Sequence, residues 1–368
     1  MHLRALSRLP RQRYQLGRFR SAVNEARLDA AFEAAERLLD LEPTTAVYEE
    51  LLRPVDRDQS PAAHLRLYDL LRGLEQDDRS AHHPWQLFFR VALLARLGWY
   101  ADALRLSAAF AHLPERYGWM RYVRAMMLLN NLQAYDDARR ELEAALRAAP
   151  NFWKARGTLA ECALCQGHEA EAFALMDACL ASAGSSAERD EATTWRGELR
   201  LWLGQYEAAL ADLAPGMARG SPYALIWGGA AHLLMGEHDR ALAFLDRAVQ
   251  AVPGDAEAYV WRGEAHERLG HPERALGDFD RALGLTGMVV WPCVGRALAK
   301  ARIGDTAGMI ADFMALPAHM RALFEWKTGT SVGADPRAAI DVLLKMREAA
   351  RGLRRSEQYL EVLWMKRT

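Results

Sequence analysis

The chain has 368 residues, with 47 basic against 48 acidic, a formal charge of −1, and a hydrophobic content of 51% that is swollen by alanine. So even a balance sets up no whole-chain field that would draw it to nucleic acid or to a membrane surface, and no apolar run approaches the roughly 20 residues that span a bilayer. It is expected to be soluble, with no membrane insertion and no nucleic-acid partner. The cysteines, Cys162, Cys165, Cys179 and Cys293, do not read as a secreted disulfide framework, so the expected setting is a reducing cytoplasm. Only five of the 47 basic residues are lysine, which with the richness in Ala and Leu suggests a GC-rich bacterial genome.

Residues 1–83 read as an N-terminal cap or eroded repeats. The first twenty carry Arg4, Arg8, Arg11, Arg13, Arg18 and Arg20 without an acid, and they lack the apolar stretch of a secretory signal. A capping helix with solvated arginines is expected there. Leu28, Ala31, Phe32, Ala35, Leu38 and Leu39 recur at helical spacing and predict a helix over 20–41, ended by Glu42 and Pro43. Further helices are predicted over 46–52 and 62–74.

From residue 84 to 317 one pattern of helix, Gly-marked turn and second helix recurs seven times. The units start near Pro84, Trp119, Trp153, Asp190, Pro222, Ala256 and Val290, at intervals of 35, 34, 37, 32, 34 and 34 residues. The clearest unit has Tyr259, Gly263, Gly270, Ala275, Phe279 and Ala282 at its marked places. The unit before it has Gly229, Gly236, Ala241, Leu245, Ala248 and the closing Pro253. This pattern resembles the tetratricopeptide repeat over about two-thirds of the chain. The resemblance implies an all-α, right-handed α-solenoid of about seven helical hairpins between helical caps.

The marked places have a physical basis. Small residues on facing helices let the two axes approach, while a large neighbour three or four residues away fills the gap beside them. One hairpin cannot cover its own apolar face, so stability comes from stacking. Residues 318–368 depart from the rhythm and read as a C-terminal cap: a helix over 318–328, one from Pro336 with Asp335 as its N-cap, and one over 356–366.

Stacked hairpins put the first helix of each unit on the concave wall. The sixth, ninth and thirteenth places of successive units then give Trp195, Glu198 and Trp202; Trp227, Ala230 and Leu234; Trp261, Glu264 and Arg268. A ladder of indoles beside glutamates suits an extended peptide with apolar or cationic side chains, although the same rings also suit packing between repeats. A second patch, Phe89, Arg124 and Asn131 with Phe88, Arg96 and Asn130, has the donors to hold a carboxylate or a peptide backbone. The expected partner is a protein or peptide, and the expected role a non-catalytic scaffold or adaptor. A ligand-sensing regulator is the first alternative, and an enzyme whose pocket is closed by Met320 to Asp341 the second.

Cys162, Cys165 and Cys179 read as small residues in a packed hairpin, with no metal expected. His232 and His266 read as packed core histidines, and His168, His238 and His271 as exposed turn residues. The sequence contains no phosphate loop, dinucleotide fingerprint or hydrolase motif, so no cofactor is expected. Residues 1–80 show no helix-turn-helix DNA reader.

Overall fold

The structure is a computed structural model that describes residues 14–19, 21–22, 28–40, 84–96, 99–132, 134–285, 290–316, 321, 325, 329–331 and 333–349. The chain divides into two compact units, Met1–Ser185 and Ser186–Thr368. Among the described residues all regular structure is helical. The helices expected over 46–52, 62–74 and 356–366 lie outside the described residues, as does most of the one over 318–328.

In the first unit, α1 (Leu28–Asp40) buries Ala31, Phe32, Ala35 and Leu38, the stripe that its spacing predicts. α2 (Pro84–Arg96) and α3 (Tyr100–Ser107) form a hairpin, followed by α4 (Arg121–Leu132), α5 (Tyr135–Ala148), α6 (Trp153–Cys165) and α7 (Glu169–Ser182). The second repeat was expected to start at Trp119, but α4 begins two residues later. Two 3-10 turns, Ala108–His112 and Glu115–Met120, occupy the approach. Pro114 holds the chain extended between them. Trp119 is buried beside Phe88, with ring centroids 5.2 Å apart, and beside Trp85 at 5.8 Å. A Cβ on Gly118 would stand 2.6 Å from that of Ala148, so glycine is what lets this turn lie against α5.

One carboxylate gathers three parts of this unit. Glu36 on α1 accepts from Trp85 Nε1 at 2.8 Å, from the Tyr117 hydroxyl at 2.6 Å and from Arg116 at 2.9 Å. Burial first, and then the bond to Glu36, pushes the Tyr117 hydroxyl up to about 12.

The second unit contains α8 (Ser186–Trp202), α9 (Tyr206–Arg219), α10 (Pro222–Leu234), α11 (His238–Ala251), α12 (Ala256–Arg268), α13 (Pro272–Leu285), α14 (Val290–Arg302), α15 (Thr306–Ala315) and α16 (Pro336–Ala349). The starts at Pro222, Ala256 and Val290 fall where the period puts them, whereas α8 begins four residues before Asp190. α8 and α9, α10 and α11, α12 and α13, and α14 and α15 pair as hairpins, and each hairpin packs on the next. Asp255 caps α12 by accepting from the Glu257 N–H at 2.9 Å, and Asp335 caps α16 through the Ala338 N–H at 3.0 Å, as its position predicts.

The turn glycines Gly204, Gly236, Gly270 and Gly304 have φ between 74° and 84°, a left-handed conformation that glycine adopts at little cost. Gly263 serves close approach instead. A Cβ there would meet the Phe279 ring at 2.9 Å.

A polar rung repeats inside this unit. Arg196, Arg262 and Arg296, each at the seventh place of its repeat, hold Asp212, Asp278 and Asp312 at the twenty-third through paired hydrogen bonds of 2.6–3.0 Å. These aspartates are buried. The same arginines also reach back one hairpin: Arg262 to Asp246 at 3.1 Å and Arg296 to Asp280 at 2.6 Å. At the eleventh place Arg200 and Lys300 add second bonds of 2.8 Å to Asp212 and Asp312. The bond to Asp278, outweighing burial, holds the Arg262 guanidinium above its ordinary value. A bidentate Arg–carboxylate pair with its remaining donors satisfied is the geometry that makes a buried charge tolerable.

Candidate functional site

The tryptophans of the second unit form a ladder, but most of it is closed. Trp227 on α10 and Trp261 on α12 meet edge to face at 6.4 Å, and Trp261 meets Trp291 on α14 at 4.6 Å and 88°. Trp227 and Trp261 are only 6% and 7% exposed, and Trp202 is fully buried. Of the two arrangements that the sequence left open for these indoles, Trp227 and Trp261 take packing between repeats, because their first helices lie close enough for each of these rings to meet the next. Edge-to-face pairing of this kind stabilises stacking by about 0.5–1.5 kcal/mol per pair beyond the area buried.

Trp291 extends the ladder at the second place of its repeat, and its indole N–H donates to Glu264 Oε1 at 3.3 Å. Glu264 is therefore a buried acceptor inside the stack. Glu267, one turn on, is also buried. Its carboxyl is raised by burial and opposed by Arg302, with which it pairs, and by Arg268. Arg268 thus sits in an internal charge cluster and is half-buried.

The more accessible aromatic residues of this unit's first helices lie on α8 and α10. Trp195 and Glu198 are half-buried, and Tyr223 is 54% exposed. Tyr223 was not singled out from the sequence. The signal was available, because it occupies the second place of its repeat, where Trp291 stands in the last one. The polar rungs were equally legible, since Arg and Asp recur sixteen residues apart in three repeats.

The patch expected in the first unit is not assembled as a receptor. Phe89 is 3% exposed and packs between Phe32 and Phe88 at centroid distances of 5.6 and 5.7 Å. Arg124 donates to the Leu104 carbonyl at 2.6 Å and to Ser107 Oγ at 2.9 Å, with Glu141 3.3 Å from its Nε. Its guanidinium binds the fold where a partner's carboxylate was expected. Asn131 lies on α4, and its side chain is outside the described residues.

The thiol of Cys162 donates to the Tyr135 carbonyl at 3.1 Å, and that of Cys179 to the Trp153 carbonyl at 3.4 Å. Burial pushes Cys162 up to about 11, which suits packing and disfavours a reactive thiolate. His266 is buried with Nε2 at 4.0 Å from Asp278, as expected of a core position, whereas His232 is half-buried, stacked on Phe244 at 5.3 Å with its Nδ1 2.8 Å from Glu237. His168 and His271 are exposed as expected, while His238 is half-buried.

No family model and no curated protein matches the sequence. Solved structures do match. A monomeric mutant of IFIT1 with Gppp-AAAA is 13% identical, over 82% of this chain and 76% of that one, with a TM-score of 0.51. PilW, a widely conserved type IV pilus biogenesis factor, is 17% identical over 61% and 98% with a TM-score of 0.43. A tetratricopeptide repeat protein from Parabacteroides merdae is 14% identical over 80% and 91% with a TM-score of 0.36. Such likeness concerns the fold alone. Paired helices at a 34-residue period, with small residues at the close approaches and glycine at the turns, give this chain a fold of repeated, tetratricopeptide-like helical hairpins.

Proposed function

We propose that the chain is a non-catalytic, protein-binding scaffold that takes an extended segment of a partner on the first-helix wall of its second unit. The observation that carries this reading is the accessible aromatic pair, Trp195 and Tyr223, on successive first helices beside Glu198. Rigid helices position these side chains, and indole and phenol rings give large contact area at low entropy cost. The raised values of Arg262 and Arg296 go with the internal pairs that hold the hairpins together, and that of Glu267 with its burial. A protein partner also fits the wall better than a nucleic acid does, because the carboxylates along it repel phosphate. Among the described residues no helix is long and apolar enough to cross a membrane.

Selection of random decapeptides on the full chain, followed by affinity measurement, tests the proposal. Peptides recovered on the wild type should bind the Trp195→Ala/Tyr223→Ala double variant at least tenfold more weakly. Equal affinity for both proteins, or no peptide recovered at all, overturns it.

A further inference from the structure

The exposed faces of the second helices change character in the last hairpin of the second unit. On α11 the eighteenth, twenty-second, twenty-fifth and twenty-sixth places of the repeat hold Asp239, Ala243, Asp246 and Arg247, and on α13 they hold Glu273, Gly277, Asp280 and Arg281. Each of these faces carries three charges. On α15 the same places hold Ala307, Ala311, Met314 and Ala315, all of them exposed and Met314 by 50%. None is charged. Spacings of three and four residues put these four on one side of the helix, and the one charged residue of α15, Asp312, is buried against Arg296 and Lys300.

The face lies where the repeat series ends. In the two hairpins before it the acid at the twenty-fifth place is reached by the arginine of the next hairpin, Asp246 by Arg262 and Asp280 by Arg296, whereas Met314 closes the series with an apolar side chain. The turn into α15 follows suit. At the fourteenth place Leu203, Met235 and Leu269 are half-buried, while Ile303 is 44% exposed. α16 covers the other side of α15, where its Ala339 packs in one cluster with Met309, Phe313 and Leu316.

An exposed apolar face of this kind marks a contact surface, and its charges select the occupant. A second copy of the same helix, related by a two-fold axis, buries no charge from either face, whereas self-pairing of α11 or α13 would desolvate three on each side. The alanines let two axes approach closely. The helix ends match in the antiparallel sense that the axis imposes. Exposed Asp305 caps the N-terminus through the Gly308 N–H at 2.8 Å, and Arg321 stands at the C-terminus, donating to the carbonyls of Met314 and of Leu316, the latter at 2.7 Å. Pairing sets the acidic end of each helix beside the basic end of the other while both groups keep their own bonds.

We propose that α15 is the contact through which two copies of this chain associate, antiparallel across a two-fold axis, with Ala311 at its centre and Met314 beside it. This is independent of the peptide-binding wall.

Sedimentation equilibrium of the full chain from about 1 to about 200 μM tests it, a range chosen because one short helix face suits a weak dimer. Expected is a reversible monomer–dimer equilibrium, with association roughly tenfold weaker or more in Ala311→Glu and within about twofold of wild type in Ala243→Glu, the same place on α11. Both positions are exposed, so neither new charge has to enter the core. Cross-linking gives a second readout: Ala311→Cys meets its own copy at the axis and should form a disulfide-linked dimer on mild oxidation, and Ala243→Cys should not. A chain that stays monomeric throughout leaves the face to a partner of another kind and overturns the proposal. Association that Ala311→Glu does not weaken, or equal cross-linking of the two cysteine variants, overturns it as well.

Discussion

In Met1–Ser185 the polar bonds that reach furthest along the chain gather at α1, where Glu36 draws in Trp85 and the adjacent pair Arg116 and Tyr117. In Ser186–Thr368 the same task is divided among rungs of identical geometry: Arg196 with Asp212, Arg262 with Asp278, Arg296 with Asp312. The difference follows repeat regularity. Where the repeats keep their frame, a bond that suits one hairpin suits the next and recurs at the same places. In the third repeat both rung positions are apolar instead: Leu159 and Leu175 stand there, packed in one cluster. The fifth repeat shows the exchange inside the regular unit. Gly228 and Phe244 replace the pair, Met217 lies where a Cβ on Gly228 would go, and His232 stacks on Phe244.

The largest effect that sharpens this contrast comes from breaking one rung at its buried end. Asp278→Ala removes the better-buried partner of Arg262 and is expected to cost about 3 kcal/mol in urea denaturation, the cost of stranding a buried charge. Asp246→Ala removes the exposed partner of the same arginine and should cost less than about 1 kcal/mol. Equal losses would show that the rung is no more than a surface pair.

A smaller effect is expected at the close approach of α12 and α13. Gly263→Ala puts a methyl group 2.9 Å from the Phe279 ring and should cost about 1–3 kcal/mol in the same denaturation series. Gly277→Ala, in the same hairpin but with open space around the new methyl, should leave stability unchanged or slightly raised through helix propensity. Equal midpoints for the two variants would contradict the packing described here.

The smallest effect is in pH dependence. Burial first, countered by Asp278, holds His266 below its ordinary value of 6.5. Arg262, Asp246 and Arg274 also face it. The unfolded chain therefore binds this proton more readily than the folded one, so stability is full above pH 6.5 and declines as pH falls through that value towards the lower folded pKa. His266→Gln should remove this component. The stability difference between wild type and variant, followed by urea titration from about pH 7 to about pH 5, should change in that direction. Parallel curves would mean that the imidazole is not desolvated as its burial implies.

Much of the architecture was legible without coordinates. The 34-residue period, the turn glycines and the small residues of facing helices placed the starts of α2, α6, α10, α12 and α14 at the residues where they occur. Such features are local: a left-handed turn or a close helix approach restricts one residue type at one place, and a period repeats that restriction until it stands out. It misplaced α4, where buried Trp119 belongs to a 3-10 turn packed on α2, a contact between residues far apart in sequence.

For the candidate site, the sequence determined which side chains share a wall and left their exposure open. Trp195, Trp227 and Trp261 hold the same place in their repeats, yet the first is half-buried while the other two are sealed. Tertiary structure alone decided this, because a ring closes or stays reachable according to the residue that the next helix sets against it. Trp291 covers Trp261 and satisfies Glu264, whereas Tyr223, at the equivalent place beyond Trp195, stands open to solvent. Burial is a property of neighbours brought together by stacking, and a repeat pattern read along one chain records the positions without recording what covers them.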